Sequence, residues 1–229
     1  MDYLHQFIFG IYPYIAASVF FLGCLARFEK DQYSWKSESS QILNDKYLLL
    51  GSNLFHIGII GIFFGHFFGL LTPFAVWDFL GVTKPFKQML AIIAGGIMGT
   101  LCFIGLILLI CRRYTSARLR TNSTWRDWLV LIWILLTLLL GLGTLFVSAK
   151  HLDGMEMANL MHWAQHIVTF RGDAANYIQD ASILFKIHMF MGMSLFAIAP
   201  FTRLVHIWSG IASAAYLLRP WQLVRSNKM

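Results

Sequence analysis

Long apolar runs separated by short polar connections dominate this chain. Five runs are long enough, at ~1.5 Å per helical residue, to cross a hydrocarbon core: about Phe7 to Leu25, Leu48 to Leu71, Met89 to Ile110, Trp128 to Val147, and Ile183 to Trp208. Each is continuously apolar, without the period-two alternation of a barrel strand, and lipid leaves the backbone no other partner than its own helix. The pattern predicts an all-α integral membrane bundle of five transmembrane helices, one domain over residues 1–229, without internal repeats.

Composition agrees: 58% of the residues are hydrophobic and 13% charged, about half the charged share of a soluble domain. The net charge of +7 comes from Lys and Arg gathered between the runs, so it argues for membrane lipid as a partner and against a nucleic-acid patch. Thirteen of the eighteen Lys and Arg residues fall on one set of connections and five on the other. The positive-inside rule then puts the N-terminus outside and the C-terminus in the cytoplasm, as an odd number of crossings requires. Trp35, Trp77, Trp125, Trp128, Trp208 and Trp221 lie near the ends of the runs, where an aromatic belt belongs. Cys24, Cys102 and Cys111 form no CxxC pair and no CxxCH occurs, so neither a thiolate metal site nor a covalently attached haem is indicated.

An ionised residue at membrane depth costs at least ~2.5 kcal/mol, so intramembrane histidines need a reason. The second run holds His56 and His66, and the fifth holds His188 and His206. One such histidine is ordinarily a neutral, hydrogen-bonded core residue; four on two helices point to ligation. Because the two helices cross in opposite directions, His56 faces His206 toward the inner side and His66 faces His188 toward the outer side. Bis-imidazole ligation of two stacked b-type haems follows, with both axial positions filled, which suits electron transfer rather than oxygen chemistry. The spacings are unequal. His188 and His206 are 18 residues apart, about five turns and roughly 27 Å on a straight helix, whereas His56 and His66 are 10 apart, roughly 15 Å and about 80° out of phase.

Arg203 lies one turn from His206 and suits either a haem propionate or the positive-inside rule; Arg112 and Arg113 fit the latter better. In the long outer connection, Met155 to His166 is expected to form a short surface helix with His162 and His166 one turn apart. This HxxxH lacks the glutamate and third ligand of a zinc site, so a solvated or interfacial role is expected.

The segments Ile11-Tyr12-Pro13-Tyr14, Ser52-Asn53-Leu54-Phe55-His56-Ile57-Gly58, Gly65-His66-Phe67-Phe68-Gly69, Leu71-Thr72-Pro73 and Arg203-Leu204-Val205-His206-Ile207-Trp208-Ser209 run through nearly the whole chain. In them the sequence resembles the cytochrome b (gamma) subunit of membrane-bound respiratory nitrate reductase. The resemblance implies that His66 and His188 ligate an outer haem b and His56 and His206 an inner one. It implies a menaquinol or ubiquinol site at His66, Gly65 and Lys87, the last being otherwise readable as a lysine snorkelling to the surface. It also implies a bacterial or archaeal plasma membrane location, with electrons leaving to an iron–sulfur beta subunit and a molybdenum-containing alpha subunit. Pro85-Phe86 before Lys87, and His162 and His166, depart from the family's pattern.

Two other readings stay open on the residues alone. One is a dihaem subunit of another quinone-linked complex, such as a sulfur-metabolising one. The other is a haem-free transporter or proton pathway that uses the histidines as titrating groups.

Overall fold

The computed structural model describes residues 3–30, 46–150 and 152–207. Expectations that concern Trp35, Lys36, His151, the Lys46 side chain or anything from Trp208 onward lie outside them. Helix α1 runs Tyr3–Lys30, with one π-helical turn at Phe7–Ile11, and α2 runs Lys46–Leu71. After the short α3 (Phe74–Phe79) come α4 (Lys84–Thr115), a short α5 (Ala117–Thr121) and α6 (Trp125–Ser148). Helix α7 (Met155–Val168), a 3-10 turn at Ala174–Ile178 and α8 (Ile183–Ile198) complete the order, followed by 3-10 turns at Ala199–Phe201 and Arg203–Val205. Five of these helices are long and apolar enough to cross a membrane. The crossings are those the sequence predicts, although α1 and α4 extend several residues beyond their expected ends.

Local chemistry explains the boundaries. Pro73 stops α2, because proline cannot continue the helical ladder and disfavours helical backbone before it. Thr83 caps α4, its hydroxyl accepting from the Phe86 amide at 3.4 Å, with Pro85 in the first turn where its missing amide costs nothing. Thr124 and Asp127 form a reciprocal capping box at the start of α6. Gly154 begins α7 at φ 77°, and a Cβ there would come within 2.8 Å of the Lys84 side chain, so both the backbone and the space require glycine.

The fifth crossing is not the continuous helix to Trp208 that the apolar run suggested. Helix α8 ends at Ile198, and Thr202 takes an extended backbone at φ −130° and ψ −177°. Pro200 contributes no amide to the ladder there. Arg27 Nη1 on α1 donates to the freed carbonyls of Pro200 (2.9 Å) and Thr202 (2.7 Å). A guanidinium satisfying carbonyls is what lets an irregular segment persist at membrane depth.

Lipid supplies no hydrophobic drive between helices, so close backbone approach and polar cross-links must hold the bundle. Helices α2 and α4 share the most extensive interface. A Cβ on Gly58 would strike the Cys102 amide and lie 2.6 Å from the Met98 carbonyl, and one on Gly105 would strike the Phe55 amide and lie 2.7 Å from the Gly51 carbonyl. Trp133 Nε1 on α6 donates to the Met191 carbonyl on α8 at 3.0 Å, and Tyr12 on α1 shares a 2.9 Å hydrogen bond with Ser194 on α8. Helices α1, α8, α6, α4 and α2 thus pack in sequence, and α7 lies against α2 and α4 at the end that bears His66.

Backbone, unlike a flexible side-chain tip, cannot yield at Gly105. Gly105→Ala is therefore expected to cost about 1–3 kcal/mol by overpacking, read as a lower thermal midpoint in detergent. Gly95→Ala, whose Cβ would meet Leu145 at an ordinary 3.6 Å, is expected to leave the midpoint unchanged.

Candidate functional site

The structure brings the four intramembrane histidines together in the expected pairs. The His56 and His206 ring centroids are 6.3 Å apart, and those of His66 and His188 are 6.2 Å apart. The unequal spacings are reconciled by the break after Ile198. The chain does not rise straight from His188 to His206, so an 18-residue interval on one side meets a 10-residue interval on α2.

Every one of the four rings has its Nδ1 against a backbone carbonyl. His56 bonds the Ser52 carbonyl at 2.7 Å and His66 the Ile62 carbonyl at 2.8 Å, both one turn back on α2. His188 reaches across to the Thr137 carbonyl on α6 at 3.0 Å, and His206 turns back to the Arg203 carbonyl at 2.6 Å. A carbonyl can only accept, so in each ring Nδ1 carries the hydrogen and Nε2 keeps its lone pair. This is the outer-sphere arrangement that fixes a metal-ligating imidazole in tautomer and orientation. Helix α6 makes room for it: a Cβ on Gly141 would sit 2.8 Å from His188 Cε1.

The surroundings fit a flat iron-porphyrin. Two metal–nitrogen bonds of about 2 Å in line place imidazole centroids roughly 6 Å apart, the spacing seen at both pairs. Among the described residues no cluster of three His, Cys, Asp or Glu side chains could hold an ion. A Cβ on Gly65, Gly69 or Gly192 would touch nothing within 4 Å, which leaves open space beside the His66–His188 pair. His56 and His66 are exposed within the chain, and only 6% of the most apolar stretch of α2 is buried, against 22–28% for the other four crossings. Lipid or a large apolar group can cover that face.

Lys87 is not a lysine snorkelling to the surface. It is 4% exposed and turned inward, with Nζ donating to the Gly69 carbonyl at 2.7 Å and touching the Met161 sulfur. The ammonium lies 4.8 Å from the Trp77 ring centroid and 5.3 Å from that of Phe74. Gly69 is three residues beyond His66, so Lys87, Gly65 and His66 gather at one end of the bundle. Trp77, expected only as a belt residue, joins them: its Nε1 is buried without a hydrogen-bond acceptor among the described residues. Nothing in the sequence separated it from the other tryptophans.

At the opposite end the sequence reading passed over Asp127. This carboxylate is 4% exposed and receives Arg203 through Nε (2.7 Å) and Nη2 (2.5 Å), together with Arg113 Nη1 at 3.5 Å. Arg203 is thus spent at least partly on a buried ion pair, and it is Arg113 rather than Arg112 that faces the same carboxylate. The Thr124-Trp125-Arg126-Asp127 capping pattern was the available signal.

The HxxxH pair also differs from expectation. The short helix exists, as Met155–Val168, but His166 is buried rather than solvated, with Nδ1 2.7 Å from Asp173 Oδ1 and Nε2 3.4 Å from the Tyr177 hydroxyl. His162 stacks on Tyr177 with centroids 5.2 Å apart.

Comparison with known proteins adds an independent line. A sequence model described as nitrate reductase gamma subunit matches residues 5–227. The respiratory nitrate reductase 1 gamma chain of Escherichia coli (strain K12) is 46% identical over 227 residues, 99% of this chain and 100% of that protein. The respiratory nitrate reductase 2 gamma chain of the same organism is 46% identical over 229 residues, 100% of each. The nitrate reductase gamma chain of Bacillus subtilis (strain 168) is 34% identical over 222 residues, 97% of this chain and 98% of that one.

Removing a buried carboxylate strands the cations paired with it. Asp127→Ala is expected to cost about 3–5 kcal/mol, and Asp127→Asn less, because its amide oxygen still accepts from the Thr124 amide. Thermal unfolding of the two variants in one detergent ranks them, and equal midpoints would contradict the ion-pair account.

Proposed function

This chain belongs to the nitrate reductase gamma subunit family, and from that premise we infer that it is the dihaem cytochrome b that oxidises quinol for a respiratory nitrate reductase. The observation that carries the reading is the two imidazole couples with centroids 6.3 Å and 6.2 Å apart, each ring tied through Nδ1 to a carbonyl so that Nε2 keeps its lone pair. His66 and His188 hold the outer haem b and His56 and His206 the inner one. Haem held there by these imidazoles would supply a one-electron carrier.

The protein's own part is to position and to insulate. Lys87, Gly65 and His66 bound the quinol site, with the Lys87 ammonium donating to a quinol oxygen and Gly65 leaving space for the ring. A cation that already sits over two aromatic faces is held in place before substrate arrives. Menaquinol or ubiquinol approaches from the bilayer, and the two protons it loses go to the outer side. Arg203, and Arg112 at the cytoplasmic end of α4, offer guanidinium donors to the propionates of the inner haem. Electrons leave inward to the iron–sulfur beta subunit and the molybdenum-containing alpha subunit, which the chain anchors to the bacterial or archaeal plasma membrane with its C-terminus in the cytoplasm. Moving each electron inward without its proton stores about 2.3 kcal/mol per 100 mV.

Reduced-minus-oxidised visible spectra of the complex purified in mild detergent are expected to show two b-type centres. His188→Ala is expected to lose one of them and His206→Ala the other; a spectrum without any b-type band would overturn the reading. Lys87→Ala is expected to keep both bands and slow quinol-driven reduction by about 10-fold to 100-fold, the worth of one charge-assisted hydrogen bond. Unchanged kinetics in stopped-flow would remove Lys87 from the quinol site.

A further inference from the structure

We propose that Tyr177, His166 and Asp173 form the outlet through which protons released at the quinol site reach the outer water, an inference that rests on the quinol-oxidising role above. Helix α7 lies over the His66 end of the bundle, where Gln165 Nε2 donates to the carbonyls of Leu70 (3.1 Å) and Thr72 (3.4 Å) that close α2. Its Met161 touches the Lys87 ammonium, and the next residue, His162, lies 5.8 Å from the same Phe74 ring that Lys87 covers. His162 stacks on Tyr177, Tyr177 reaches His166, and His166 reaches Asp173, whose side chain is 53% exposed. The hydrogen-bonded train is Tyr177, His166 and the solvated carboxylate of Asp173, and ring contacts through His162 and Phe74 set its inner end beside the buried Lys87 cation.

The hydrogen-bond polarity sets its direction. A carboxylate only accepts, so His166 Nδ1 carries the hydrogen toward Asp173, leaving Nε2 to accept from the Tyr177 hydroxyl. The His166 hydrogen bond also holds the Asp173 carboxyl below its usual range, which keeps it an anion ready to steady an imidazolium. Around the pair stand His162 on the same helix, Arg171 and Tyr177 on the return segment, and His5 and Tyr14 from α1, which bond the Ala175 and Ile167 carbonyls. Lys84 and Lys87 face Phe74 from α4. The nearby cations, Lys84, Lys87 and Arg171, favour departure of a proton outward.

The step balances without any further reactant. As quinol gives two electrons inward, its two hydroxyl protons leave one at a time. An arriving proton binds the Tyr177 oxygen while the tyrosine's own proton moves to His166 Nε2. The imidazolium so formed passes its Nδ1 proton to Asp173, which gives it to water. The starting tautomer returns when Asp173 takes a proton back from water and hands it to Nδ1 while Nε2 gives its own to the outer water, an exchange with no net change in protons.

The test uses the whole reductase complex in oriented vesicles, with a soluble naphthoquinol as donor, nitrate as acceptor and a pH-indicating dye in the outer medium. His166→Asn keeps a donor to Asp173 but carries no proton. It is expected to retain both b-type bands yet slow outward proton release and turnover roughly 10-fold to 100-fold, with added imidazole restoring the rate. Tyr177→Phe, which preserves the ring against His162, is expected to slow release similarly and serves if the asparagine variant does not assemble. Release at the unmodified rate in either assembled variant, or slowing that imidazole does not relieve in His166→Asn, overturns the proposal while leaving the quinol reading intact. If the unmodified complex itself neither oxidises naphthoquinol nor shows b-type reduction, the quinol reading falls and the outlet with it.

Discussion

An imidazole placed in a membrane has one hydrogen too many to be a bare ligand and one charge too many to be protonated. The fold meets both constraints with the same device, a backbone carbonyl opposite each Nδ1. Accepting that hydrogen satisfies the ring N–H where lipid offers no acceptor, fixes the tautomer and leaves the lone pair on Nε2. For His56 and His66 the acceptor comes with the helix, since a carbonyl one turn back always lies within reach. His188 needs a neighbour, and α6 provides the Thr137 carbonyl only because residue 141 has no Cβ to hold the helices apart. His206 needs a turn, and receives the Arg203 carbonyl from a segment that is no longer α-helical.

That last requirement explains much of the polar chemistry at the His56 end. Ending α8 at Ile198 frees carbonyls that lipid cannot satisfy, and Arg27 answers them from α1. Arg203, carried by the turn, would itself be an uncompensated cation without Asp127, which also caps α6 and receives Arg113 from α4. A single acidic residue therefore ties two helices, α4 and α6, to the turn that aims His206. Changing Asp127 acts on the inner imidazole through position rather than by contact.

The crossings and the pairing of the four histidines were legible in the sequence because each leaves a long or repeated signature: twenty apolar residues, or a costly side chain repeated on two spans. The break in α8 was not, although Pro200 and Thr202 were in view, because proline is tolerated inside membrane helices and hydropathy does not register a change of backbone. Asp127 and the burial of Lys87 escaped for a related reason. A charge near the end of a span reads as an interfacial residue until tertiary partners show that it points inward. His166 was misjudged because Asp173 and Tyr177 lie on the far side of a turn whose course, through Phe170 at φ 59°, no periodicity encodes.

The two ends of the bundle are built differently, and the difference bears on direction. At the His66 end α3 and α7 fold over the bundle, bringing Lys87, Trp77, Phe74 and Met161 together as a buried cation beside two aromatic faces. Among the described residues nothing comparable covers the pair at the His56 end; guanidinium groups and a turn lie beside it instead. A site that must admit a diffusing molecule and release its protons needs a shaped, polar-lined cover, whereas one that only hands electrons to a docked neighbour needs proximity and a surface. On that argument the proposed substrate chemistry suits the capped end and the proposed transfer to partner subunits the other.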